Sequence, residues 1–132
     1  MAYLLDAGTL VEVLRAVPSR TLVRRLSNTP TRDRWTTSIC VSQMLLAARR
    51  TGHHKLMQDV VRVVAAVKVL PFDLLSAQAF SKFRATVAEQ SDTDDVIIAS
   101  IAVTNDFTLV TRRTTEFSKY PGLRVEDWTL PA

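Results

Sequence analysis

A single cysteine, Cys40, stands in the 132-residue chain, so no internal disulfide can close and a bridged, secreted scaffold is excluded. The only histidines are the adjacent His53 and His54; with one cysteine they rule out a four-ligand Cys/His zinc site. Glycine occurs three times, at positions 8, 52 and 122, too scattered to build a phosphate-cradling loop. Five prolines beside them are too few for a fibrous or low-complexity chain. Apolar runs are short: Tyr3-Leu4-Leu5 stops at Asp6, and residues 60–70 carry Arg62 and Lys68. Neither reaches the length of a signal peptide or a membrane span. The expectation is a soluble cytoplasmic protein with no membrane partner.

What remains is the composition of an ordinary globule, 47% hydrophobic and 23% charged, sized for one domain over residues 1–132. At this length about two thirds of the unfolded surface can be buried, enough for a core without metals or bridges. The net charge is +4, from 17 basic and 13 acidic residues. All but four of the bases are arginine, with pairs at Arg24–Arg25, Arg49–Arg50 and Arg112–Arg113. Such a surplus suits a polyanion such as RNA or DNA; a solvated helix surface, or a face for an acidic protein, explains it as simply.

Hydrophobic patterning predicts short strands alternating with helices. Residues 2–5 form an unalternating apolar strand, followed by a turn at Asp6-Ala7-Gly8 and a helix capped by Thr9 and stopped by Pro18. Ser19 opens a second helix to about Leu26, and 27–34 is a loop. A second strand is expected over 35–40, helices over 41–51 and 55–66, a third strand over 67–71, and a long helix over 74–90. The polar cluster Ser91-Asp92-Thr93-Asp94-Asp95 leads into 96–103, apolar nearly all round and therefore a buried helix. Residues 108–111 give a fourth strand and 123–125 a fifth. This alternation predicts an α/β fold, a three-layer α/β/α sandwich around a mostly parallel sheet of four to five strands. Its ligand site would then lie along the carboxyl ends of the strands.

Three places put chemistry at that edge. Asp6 ends the first strand, as a crevice carboxylate or as a plain turn and capping residue. Asp92, Asp94 and Asp95 precede the buried helix, where acids also complement the helix dipole and Thr93 or Asp94 serves as a cap. So many carboxylates together favour a cation among them, and an all-oxygen set suits Mg²⁺ or Mn²⁺. Thr111 ends the fourth strand, offering a hydroxyl, and Arg112 and Arg113 offer guanidiniums matched to phosphate oxygens, unless they form an ordinary surface loop. Trp35 and Trp128 could stack on bases but are better explained by packing, as Cys40 is by the core and the histidines by solvation.

The order of these parts resembles a PIN domain. The resemblance is carried by Asp6 before Leu10-Val11-Glu12-Val13-Leu14, by Asp95-Val96-Ile97-Ile98-Ala99, by Leu109-Val110-Thr111 with Glu116-Phe117, and by the closing stretch from Pro121 to Trp128. It is strongest to the VapC-type toxins of toxin–antitoxin pairs and spans essentially the whole chain. The resemblance implies a Rossmann-like fold and Mg²⁺- or Mn²⁺-dependent endoribonuclease activity. It assigns Asp6 and Asp95 as acids that hold the metal, and Glu116 as a further acid. The family's second acid falls on Gln43, and a position usually polar or acidic falls on Arg113. Thr111, Arg112 and Arg113 would bind substrate. RNA, a cognate antitoxin and a second copy of the chain are the implied partners. The departures at Gln43 and Arg113 keep an alternative open, a catalytically impaired PIN fold that binds RNA or protein.

Overall fold

The computed structural model describes residues 1–131. Five strands, β1 (Tyr3–Leu5), β2 (Arg34–Thr37), β3 (Lys68–Leu70), β4 (Thr108–Val110) and β5 (Arg124–Glu126), form one sheet in the order β3-β2-β1-β4-β5. Every neighbouring pair is parallel, with Leu4 opposite both Trp35 and Leu109. The connections are helical: α1 (Ala7–Val13), α2 (Arg20–Ser27), α3 (Ser38–Thr51), α4 (His54–Ala65), α5 (Leu74–Ala85), α6 (Thr93–Thr104) and α7 (Thr114–Phe117). None of the described helices is long and apolar enough to cross a membrane.

Successive strand residues point to opposite faces, and the two cores follow that rule. Leu4 and Leu109 belong to a cluster with Phe83 of α5 and with Val96, Ala99 and Ile101 of α6. Leu5 and Val110 turn the other way, onto Leu10 of α1, Leu22 of α2, Met44 of α3 and Val60 of α4. The result is the expected α/β/α sandwich. The C-terminal tail closes the second core: Trp128 is buried, its ring edge-on to Tyr3 at 4.9 Å, and its indole N–H donates to Glu126 at 3.0 Å. Trp35 packs against Phe107 at 5.4 Å. Both tryptophans therefore serve packing.

Local chemistry moves several boundaries from their sequence-predicted places. The second strand stops at Thr37, and Cys40 lies in α3, because the Thr37 hydroxyl accepts the Cys40 backbone N–H at 3.0 Å and starts the helix early. The first helix begins two residues before Thr9, since Asp6 rather than Thr9 is its cap. The fifth helix ends at Ala85 instead of 90, where Thr86 leaves the helical region. The sixth begins at Thr93 with Asp92 as cap, its carboxylate accepting from Asp94 N–H at 2.9 Å; neither Thr93 nor Asp94 caps it. Gly52, at φ +70°, ends α3 in the left-handed conformation that glycine tolerates best.

Candidate active site

In this strand order the chain winds outward in one direction through β1, β2 and β3, then returns to the other side of β1 for β4 and β5. The crevice between the carboxyl ends of β1 and β4 is thus a topological switch point, the usual ligand position in open parallel sheets. Asp6 directly follows β1, and Thr111-Arg112-Arg113 directly follows β4. The two ends are knitted together: the Asp6 backbone N–H and the Thr9 hydroxyl both donate to the Val110 carbonyl, at 3.1 and 3.2 Å. Asp6, Gly8, Gln43, Arg112 and Arg113 line the crevice.

Asp6 is buried, and its Oδ1 accepts the Thr9 backbone N–H at 2.8 Å. Both readings of this residue, cap and crevice carboxylate, therefore describe the same side chain. Asp95, also buried, opens α6. Arg113 reaches it with both arms of the guanidinium, Nη1 to Oδ1 at 2.9 Å and Nη2 to Oδ2 at 2.7 Å. Two-pronged, charge-assisted pairs of this kind are among the stronger side-chain hydrogen bonds. Asp95 raises the Arg113 pKa above its already high ordinary value, and the charges of Glu116 and Asp6 act in the same direction. The guanidinium also lies over the Phe117 ring, 5.5 Å from its centroid. Glu116 itself, on the exposed side of α7, faces this group as a charge rather than as a hydrogen-bond partner.

Gln43 projects from α3 and donates from Nε2 to Asp94 Oδ2 at 3.1 Å. Of the two adjacent acids at the start of α6, one is thus held by a neutral amide and the other by a guanidinium. Among the described residues no three His, Cys, Asp or Glu side chains gather closely enough to hold a metal ion.

Thr111 departs from the expectation that its hydroxyl faces substrate. It is fully buried, and Oγ1 accepts the Arg113 backbone N–H at 3.0 Å, so its oxygen shapes the loop instead. Arg112, half exposed, approaches Glu12 with Nη1 3.6 Å from Oε2. Glu12 is buried in α1 and also accepts from Arg15 at 3.1 Å and from the Ser19 backbone N–H at 3.2 Å. The Arg15 hydrogen bond leads in holding its carboxyl below the ordinary range, with Ser19 and Arg112 assisting. This anchor went unrecognised in the sequence, although a lone acid inside Leu10-Val11-Glu12-Val13-Leu14 is a usable signal: an apolar helix face hosts a charge only when partners await it. Cys40 is buried, and burial pushes its thiol pKa up, as fits a core residue.

A parallel sheet with paired acids and arginines at its switch point defines the class, an α/β domain with its candidate ligand crevice at the carboxyl ends of β1 and β4. The family model of the PIN domain matches residues 3–123, and the chain belongs to that family. Over 132 residues, 97% of this chain and 98% of the relative, it is 24% identical to the tRNA(fMet)-specific endonuclease VapC of Salmonella typhimurium. Its fold superposes on VapBC2 from Rickettsia felis, solved bound to a promoter DNA fragment, with a TM-score of 0.84 at 19% identity, covering 97% of this chain and 99% of that one. VapBC-1 from nontypeable Haemophilus influenzae gives 0.83 at 22% identity, covering 98% and 100%.

Proposed function

We propose that this protein is an endoribonuclease of the VapC toxin kind, acting on RNA in the cytoplasm. The observation that carries the reading is the meeting of Asp6, Asp95, Arg112 and Arg113 at the switch point of the sheet. The full-length likeness to a tRNA endonuclease supports it. In this reading Asp6 and Asp95 are the essential acids, and Gln43 and Glu116 complete the polar rim. Arg112, braced by Glu12, holds the RNA backbone through phosphate oxygens without reading bases. Asp6 has Oδ1 committed to Thr9, and no protein donor among the described residues takes Oδ2.

PIN nucleases generally use a divalent ion, Mg²⁺ or Mn²⁺, and Asp6 with Asp95 are the residues expected to hold it. The side chains as arranged do not fit one: both Asp95 oxygens are bonded to Arg113, and no third acid closes the set. The same ion pair favours a second reading, a PIN fold that binds RNA or a protein without cutting.

An antitoxin is the proposed protein partner, with the apolar groove of Leu10, Val13, Val23, Leu26, Val63 and Val67 between α1, α2 and α4 as a surface for it. A second copy is proposed as well; exposed Phe72, Leu74 and Leu75 at the start of α5 form a patch it would cover.

The test is cleavage of a total tRNA pool in Mg²⁺ or Mn²⁺ buffer, with cut ends mapped by sequencing, for the natural protein and Asp95→Asn. Loss of roughly 10²–10⁴-fold in the folded variant is expected for removal of an essential acid. Equal cleavage by the variant refutes the assignment. RNA retained by both proteins and cut by neither selects the second reading.

A further inference from the structure

We propose that Arg113 is the resident cation of the acidic site and keeps divalent ions out of it. The inference rests on the acids named above as the site, but not on their cutting RNA. Three negative charges face this one guanidinium: Asp95 in a two-pronged pair at 2.7 and 2.9 Å, with Glu116 and Asp6 adding their fields. A guanidinium supplies one positive charge and two aligned donors to the same two oxygens a hard cation would use. A divalent ion at Asp95 must share those oxygens with the guanidinium or displace it, and in either case lies beside its positive charge.

The contact is built into the chain. Fully buried Thr111 fixes the Arg113 backbone through its hydroxyl, at 3.0 Å. The Phe117 backbone N–H donates to the Arg113 carbonyl at 3.3 Å, and the Phe117 ring lies under the guanidinium. The neighbouring acid is withdrawn too, since Asp94 accepts from Gln43. The Arg113 side chain is nonetheless half exposed, so the outer side of the guanidinium stays within reach of phosphate oxygens while the pair is closed.

The experiment is calorimetric titration of Mn²⁺ into the intact natural protein, Arg113→Asn, Arg113→Ala and the double variant Asp95→Asn/Arg113→Asn, each checked for fold by circular dichroism. Two substitutions at 113 are used so that poor folding of one leaves the other to decide. The natural protein should bind weakly. Either single variant should gain roughly ten- to a hundredfold in affinity, the range for removing one competing charge-assisted pair. The double variant should lose that gain. Mn²⁺ binding by the natural protein as tight as by the 113 variants overturns the proposal, and so does the absence of any gain in folded variants. Neither result depends on cleavage, so a failed nuclease assay and a failed Arg113 assignment remain separate outcomes.

Discussion

Asp6 carries two duties that substitution can separate. Its Oδ1 accepts the Thr9 N–H at 2.8 Å as the cap of α1, and the proposed chemistry needs its negative charge. Asparagine keeps an oxygen acceptor and is as good a cap as aspartate, whereas alanine leaves the first turn of α1 with an orphaned donor. Loss of a cap costs about 0.5–2 kcal/mol. For a domain of this size about 1 kcal/mol corresponds to a melting shift of roughly 3–6 °C. Asp6→Ala should therefore melt that much lower by circular dichroism, and Asp6→Asn should stay near the natural protein, within about 0.5 kcal/mol, as asparagine and aspartate rank together at this position. Both variants should lose RNA cleavage, because both lose the charge. Equal destabilisation by Asn and Ala would mean that the cap contributes nothing and the carboxylate is held for another reason. Cleavage by Asp6→Asn at the natural rate would remove Asp6 from the chemistry altogether.

Two further outcomes follow from the buried polar groups. The Glu12 carboxyl is held below its ordinary value of about 4.5 in the folded state, first by Arg15, so its contribution to stability is present above that value and fades as pH falls through the lower, folded one. Urea melts across the acid range should show Glu12→Gln less stable than the natural protein at neutral pH, with the difference shrinking as pH falls below about 4.5 and through the lower, folded value; a difference independent of pH would contradict the anchor. Cys40 is fully buried with its thiol pKa raised, so Ellman's reagent should leave it untouched until denaturant unfolds the chain. Rapid labelling of the native protein would refute its place in the core.

The architecture was readable because its signals are local and repeated. Short apolar strands such as Tyr3-Leu4-Leu5 and Leu109-Val110, each followed by a helix, leave few alternatives to a covered parallel sheet. Boundaries failed where one side chain overrode the pattern: Thr37 starts α3 inside what reads as strand, and Asp6 displaces Thr9 as a cap. Four-residue α7 went unpredicted, being too short for any periodicity to show. The places of Asp6 and Asp95, at a strand end and a helix start, were legible because such boundaries are visible in sequence. Thr111 was expected to offer its hydroxyl to the crevice, whereas it is fully buried and its oxygen accepts the Arg113 backbone N–H, a loop contact that no sequence periodicity displays. Glu12 and Arg112 were missed as a pair since they lie a hundred positions apart, and no local pattern joins them.

The pairings at Gln43 and Arg113 change how the departures from the PIN pattern are understood. Taken singly in the sequence, a neutral amide and a cation where acids or polar groups are usual look like erosion of the site. In space each meets an acid from the same helix start, Gln43 with Asp94 and Arg113 with Asp95. An eroded site would leave those carboxylates crowded and unpaired, a state that burial penalises heavily. Instead the acids are retained and each has a donor matched to it, with Thr111 and Phe117 fixing the arginine that reaches the more buried one. The two donors come from separate elements, α3 and the loop after β4. The arrangement is that of an acidic helix start whose charge is balanced from within the chain, with Asp95 held by both arms of Arg113.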